Sequence, residues 1–201
     1  MKVDQKTMAA HRAAMLTQAS KLFRQRGIDS VPVTEITSAA GLTHGAFYGH
    51  FSSKTALAAE TCRYSLERGA ENWRRKAAEA ERRGEDPIAA IIDYYLSPAA
   101  RDSRESSCAL ASLGHEASRN PDLNPAMAAG IEALAQVLRE LIARRRPKDP
   151  PSAHANAALA ALAAMSGGLS LARLLVGEPE RSADALKAAA TLAKQAANQG
   201  I

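Results

Sequence analysis

The segment VTEITSAAGLTHGAFYGHF, residues 33–51, constrains the fold more than any other stretch of the chain. Thr34 offers a hydroxyl for a helix N-cap, Ile36, Ala39 and Ala40 supply about two helical turns, and Gly41 stands where the backbone must reverse. Thr43 can then cap a second short helix over residues 43–50. Helices this short do not hold in water by themselves, so the pair must be anchored, and Ile36, Leu42 and Phe47 are the apolar side chains available for that task. This is the layout of a helix-turn-helix, with Thr43, His44 and Gly45 left on the exposed first turn of its second helix.

The surrounding sequence is helical as well. Residues 7–26 repeat Met15, Leu16, Ala19, Leu22 and Phe23 at helical spacing and end at Gly27, a residue suited to a left-handed helix stop. Ser52 and Ser53 offer the cap of a long helix running to residue 83, which Gly84 and Pro87 terminate. Beyond Tyr64 that helix is densely charged, with opposite charges three or four residues apart, and it reads as an exposed connecting helix. Further helices are expected over residues 87–96, 107–119, 125–146, 153–176 and 183–199, with Asp86-Pro87 and Asn124-Pro125 as cap and first-turn proline. No stretch alternates with a period of two, so the expected fold is all-α, with about nine helices. Residues 1–54 form an N-terminal three-helix DNA-binding domain in this reading, and residues 55–201 form a helical ligand-binding and dimerisation domain.

Charge divides along the same boundary. The net charge is +5, and residues 1–54 carry seven Lys or Arg against three acids, a net of +4, leaving the rest nearly balanced. A basic reading module on a neutral body suits phosphate neutralisation, although an ordinary solvated surface has the same composition. The first residues lack the apolar core of a signal peptide, and no run of 18 residues is free of polar side chains, so a cytoplasmic protein with no membrane partner is expected. Cys62 and Cys108 are too few and too far apart for a disulfide framework or a zinc site; neither metal nor cofactor is expected.

On the second short helix, Thr43 and His44 have side chains able to hydrogen-bond base edges, and Gly45 lets the backbone approach closely. Tyr48, His50 and Lys54 lie farther along, where contacts to sugar and phosphate would position the helix without reading sequence. Tyr48 and His50 are also candidates for simple packing against the first helix.

Taken together, residues 14–57 resemble the N-terminal domain of the TetR family of bacterial regulators. The apolar and Ala-rich first helix, Leu22-Phe23, Gly27, the Thr34-to-Leu42 segment, Phe47-Tyr48, Phe51 and Ser53-Lys54 fall in one register. The resemblance implies that Thr34 and Lys54 touch phosphate, that Thr43, His44, Gly45 and Ala46 face bases, and that Tyr48 lies on the DNA backbone. The sequence departs from the family at Gly49, where a bulky or polar side chain is usual, and at His50, where an aromatic is common. The family's remaining helices bind a small molecule and dimerise, which implies a homodimeric repressor released from a palindromic operator by an effector.

Beyond residue 57 the residues themselves must carry the reading. Leu159, Leu162, Met165, Leu169 and Ala172 form one stripe, and Leu186, Ala190, Ala193 and Ala197 another, suited to a four-helix interface between two subunits through the last two helices or to a core within one. Trp73, Ile92, Tyr95, Met127 and Met165, with Ile91, Leu113 and Ile131, suit an adaptable apolar pocket and equally an ordinary core. His115 and Glu116 offer polar contacts to a ligand. Cys108, expected in the first turn of a helix near Arg104, is a candidate redox or electrophile sensor, whereas Cys62 reads as inert. Two rival functions are an effector-free DNA-binding protein and an enzyme using Cys108, His115 and Glu116. The second is disfavoured because no phosphate-cradling or metal-binding motif accompanies these residues and one helix does not converge them.

Overall fold

The computed structural model describes residues 4–103, 105 and 108–199. Among these residues the regular structure is ten α-helices and one 3-10 turn, with no strand. The Asp4 carboxylate accepts from the Thr7 amide at 2.7 Å and starts α1, Gln5–Arg26. The helix stops at Gly27, whose φ of +81° favours a residue without a Cβ. α2, Val33–Ala39, and α3, His44–Phe47, are joined through Gly41 at φ +71°. The Ser53 hydroxyl accepts from the Ala56 amide at 3.0 Å and opens the 29-residue α4, Lys54–Arg82.

The body follows. α5, Pro87–Tyr95, is capped by Asp86, whose Oδ1 accepts from the Ile88 and Ala89 amides at 2.9 and 3.2 Å. Then come α6, Pro98–Asp102, α7, Ala109–Ser118, and the 3-10 turn, Pro121–Leu123. α8, Asn124–Arg145, α9, Pro151–Leu174, and α10, Pro179–Gln199, complete the chain. α9 and α10 pack along each other, and the fit is close: a Cβ on Gly168 would lie 2.1 Å from that of Ala189. Gly130 of α8 is similarly pressed against Leu66 of α4. One connected apolar core runs from Met15 and Phe23 through Leu66, Ile92 and Leu138 to Met165 and Ala197.

Several expectations are corrected by this packing. Thr34 is not the cap of α2: the helix begins at Val33 with Pro32 before it, and Thr34 lies in the first turn. The second short helix ends at Phe47 instead of residue 50, because Gly49 and His50 donate to the Ala46 and Phe47 carbonyls and tighten the chain into a turn. Asn124 is the first helical residue of α8 and not its cap; Asn120 caps the 3-10 turn instead. α6 was not expected, yet Ser97-Pro98 repeats the cap-and-proline signal, with the Ala100 amide donating to Ser97 Oγ at 3.1 Å. Arg173 then holds α6 down, donating to the Ala100 and Arg101 carbonyls at 3.0 and 3.2 Å and to Ser112 Oγ at 3.1 Å.

The larger corrections concern whole faces. α4 is no exposed connector: Ser65, Leu66, Ala70, Trp73, Ala77 and Ala80 are buried. Leu162, Met165, Leu169 and Ala172 of α9, with Leu186, Ala193 and Ala197 of α10, are buried inside the subunit and belong to its own core. The large apolar side chains these helices leave exposed are Leu159, Leu171, Leu174 and Leu192, followed by Val176. α9 is long and apolar enough to cross a membrane by length and composition alone, and one of its faces is instead spent on this core. The helix start expected at Ser107, and Arg104, lie outside the described residues.

Candidate DNA-reading surface and body cavity

The short α3 owes its position to the side chains beneath it. Ile36, Phe47 and Phe51 are buried, the Phe47 and Phe51 rings stack at 5.8 Å, and Leu42 packs partly against the same cluster. What this anchoring leaves outside is Thr43, His44 and Gly45, all exposed, with Ala46 half-buried behind them. Thr43 holds the N-cap position, but its hydroxyl makes no capping bond. Tyr48 is 66% exposed, so it does not pack against α1; its ring meets His44 edge-on at 5.6 Å.

His50 is held differently. Its ring lies 6.1 Å from that of His11 on α1, and burial, then the neighbouring His11 and Arg12, holds its pKa below the ordinary histidine value. Arg12 stacks over Phe51 at 4.8 Å and pairs with Glu60, fastening α1 to α4. Thr34 is exposed at the start of α2, and Lys54 Nζ donates to the Asp29 carbonyl at 2.9 Å. The eight residues selected from sequence for DNA thus lie on α2, α3, the turn after it and the start of α4.

Glu116 of α7 was considered only as a ligand contact, and the structure gives it a different place. Its carboxylate accepts from the Ile28 amide at 2.8 and 3.0 Å and from the Asp29 amide at 3.1 Å. It thereby clasps the turn that follows α1. His115, its neighbour, is exposed, and both border a shallow cavity of about 520 Å³ between that turn and residues 119–123. Cys108 lines a separate cavity, so the nucleophile and base of the enzyme reading do not meet.

That second cavity, of about 700 Å³, is walled mainly by α4, with α5, α6, Leu134 of α8 and Leu169 of α9 closing it. Of the residues selected from sequence for a ligand, Trp73, Tyr95 and Cys108 line it. Ile92, Met127 and Met165 are buried outside its wall, packed in the core for the same apolar character that suggested a pocket. The Trp73 and Tyr95 rings meet edge-on at 5.7 Å. Tyr95 is 4% exposed and its hydroxyl lies near the Cys108 thiol; burial, then Cys108, raises its pKa well above the ordinary phenol value. Cys108 occupies the N-cap of α7 instead of its first turn, and it is only half-buried. Cys62 is fully buried, which, with the Glu116 charge, pushes its pKa up to about 11 and keeps the thiol protonated at neutral pH.

Residues 15–61 match the family model for bacterial regulatory proteins of the tetR family. Over 49 residues the chain is 45% identical to the HTH-type transcriptional regulator AcrR of Shigella flexneri, which covers 24% of this chain and 23% of that protein. The likeness to an uncharacterised HTH-type regulator, YerO of Bacillus subtilis, is 41% over 46 residues, or 16% of its length. Both relatives are therefore matched over less than a quarter of their own length. The whole fold extends the likeness: a TetR transcriptional regulator of Chloroflexus aurantiacus superposes with a TM-score of 0.72 and 28% identity, covering 98% of each chain. Residues 15–61 thus match the tetR family of bacterial regulatory proteins, and the whole chain has the fold of TetR-family transcriptional regulators. Reduced NemR of Escherichia coli shares the TetR-family fold at the same TM-score, with 21% identity over 92% of this chain and 96% of that one.

The placement of two side chains escaped sequence reasoning. Arg24 lines the large cavity although it belongs to α1, and Glu116 reaches back to the α1–α2 turn. Both links join residues more than forty positions apart, and no periodicity within a helix signals such a contact.

Proposed function

We propose that the chain is a homodimeric transcriptional repressor of the bacterial cytoplasm that occludes a palindromic operator and is released by a small-molecule effector. The observation that carries the reading is α3: an exposed first turn of Thr43, His44 and Gly45 seated on buried Ile36 and Phe47. A helix N-terminus so mounted suits insertion into the major groove, with Thr34, Tyr48, His50 and Lys54 on the flanking phosphates. Residues 1–54 serve as the reading head, and residues 55–201 serve as the effector-binding and dimerising body.

Two considerations of different kinds support dimerisation. One short helix contacts too few base pairs for useful specificity, so two copies about 34 Å apart, or a multiple, are required. The exposed Leu159, Leu171, Leu174 and Leu192 on α9 and α10 supply the apolar surface that a second copy would cover.

Release acts through the contacts between cavity and head. α4 starts at the head and walls the cavity, while α7 runs from Cys108 at the cavity to Glu116 at the α1–α2 turn. A molecule that binds the cavity better when these helices shift moves the two α3 helices off their groove spacing.

Selection of genomic fragments from the source organism by the purified protein tests the reading, followed by footprinting of the enriched sites. The expected result is a protected inverted repeat with half-sites one or two helical turns apart. Uniform binding to all fragments, or protection without two-fold symmetry, overturns it. Cys108 favours a second reading, a redox or electrophile sensor, because its thiol is half-buried on the cavity wall beside Tyr95. Loss of operator binding on mild oxidation, abolished by Cys108→Ser, supports that route; the same loss in Cys108→Ser removes it.

A further inference from the structure

The turn that follows α1 is gripped from two sides. From α7, the Glu116 carboxylate accepts from the Ile28 amide at 2.8 and 3.0 Å and from the Asp29 amide at 3.1 Å. From the start of α4, Lys54 Nζ donates to the Asp29 carbonyl at 2.9 Å. Asp29 thus has its amide held by the body while its carbonyl carries a residue selected from sequence for phosphate. The backbone is shaped for the first grip: a Cβ on Gly27 would lie 3.2 Å from Glu116 Oε2, and the φ of +81° there is one that other residues rarely adopt.

Lys54 gains from a fixed partner in two ways. It is the first residue of α4, whose first turn holds no acidic side chain, so the positive end of the helix dipole opposes its charge. A carbonyl oxygen against the ammonium offsets that repulsion. Its four-carbon stem also has many rotamers to lose when the ammonium settles on a phosphate. Lys54 is half-buried in the free protein, and its bond to Asp29 orders the stem before DNA arrives. That bond takes one of the three ammonium protons, and the other two are left for phosphate.

The position of the carbonyl depends in turn on Glu116. Asp29 is exposed, where water competes for its backbone, and a charged acceptor holds its amide more firmly than a neutral one. We infer, building on the operator-binding reading above, that Glu116 is a positioning residue for DNA: it fixes the turn at residues 28–29, and through the Asp29 carbonyl it sets where the Lys54 ammonium meets phosphate. It acts through these two residues and not by contact with DNA, whose charge its carboxylate would repel. The link does not pass through Thr43, His44 or Gly45, so it governs how tightly the head holds any duplex and not which sequence it prefers.

One measurement needs no DNA. Lys54 is labelled by reductive methylation and followed by mass spectrometry, with Lys21, exposed on α1, as the reference. Glu116→Gln and Glu116→Ala are expected to quicken labelling of Lys54 by about twofold or more and to leave Lys21 unchanged. With DNA, Glu116→Ala is expected to weaken binding to operator and scrambled duplexes alike by about three- to tenfold, with the base preference set by His44 intact. In a Lys54→Ala background the same change should cost less than about twofold, because the side chain it positions is gone. Glu116→Gln, which keeps one acceptor oxygen, carries the same cycle with a smaller loss if Glu116→Ala does not fold. Losses that multiply in the double variant, binding as tight as the parent's in the Glu116 variants, or unchanged labelling of Lys54 overturns the inference. A parent protein with no operator preference defeats the repressor reading instead, and labelling with scrambled-duplex titration still decides the role of Glu116.

Discussion

His44 precedes Tyr48 by four residues and Lys54 follows it by six, across the turn into α4, and they are mounted for different work. His44 is exposed on the first turn of α3 with its ring edge-on to Tyr48, while Lys54 reaches back to the Asp29 carbonyl. His44→Ala is therefore expected to change which base pair is preferred at one position in each half-site, altering discrimination there by about 1–3 kcal/mol. Lys54→Ala should weaken binding to all sequences alike and lower the salt slope by about 1. Titrations of operator and scrambled duplexes at several salt concentrations measure both; identical losses on every sequence from His44→Ala would refute the assignment to bases. Thr43, His44, Gly45 and Tyr48 were legible because a cap, a Gly turn and an anchor spaced along a few residues dictate which side stays outside. Arg24 and Glu116 were not, since their roles depend on which distant helix lies opposite.

Among the elements, α7 links the cavity at Cys108 to the turn after α1 through the clasp at Glu116. In Glu116→Gln one carboxylate oxygen becomes an amide donor facing the Ile28 and Asp29 amides, so stability should fall by about 1–2 kcal/mol. Hydrogen exchange at those two amides should quicken by about tenfold or more, and unaltered exchange would exclude the clasp. α5 permits a pH experiment. Burial opposes the Asp86 carboxylate, but Arg145 and the Ile88 and Ala89 amides outweigh it and hold its pKa below the usual value. A lowered folded pKa means that the stabilisation is complete above the unfolded value of about 3.9 and is lost as pH falls through the folded one. Asp86→Ala should thus cost about 1 kcal/mol at pH 7, with the difference from the parent protein shrinking in urea titrations at pH 3.

At the scale of the whole molecule, the proposed dimer would be joined through the exposed leucines of α9 and α10. Leu192 is 53% exposed, so a charge there does not disturb the subunit's own core. Leu192→Glu is expected to give a folded monomer in sedimentation, with an unchanged helical spectrum and operator affinity reduced by about a hundredfold or more. A dimer that persists with full affinity would place the interface elsewhere.

Helix positions, most caps and the outward side of α3 were determined by the sequence alone, because they depend on contacts within a few residues: Asp86 before Pro87, Ser53 before α4, Gly27 and Gly41 at their turns. Which apolar stripe faces inward was decided only by tertiary packing. α9 has apolar side chains around much of its circumference, and the close approach at Gly168 and Ala189 selects the stripe that α10 covers. Likewise, apolar character alone does not distinguish Trp73 on a cavity wall from Ile92 in the core; the space left between packed helices does.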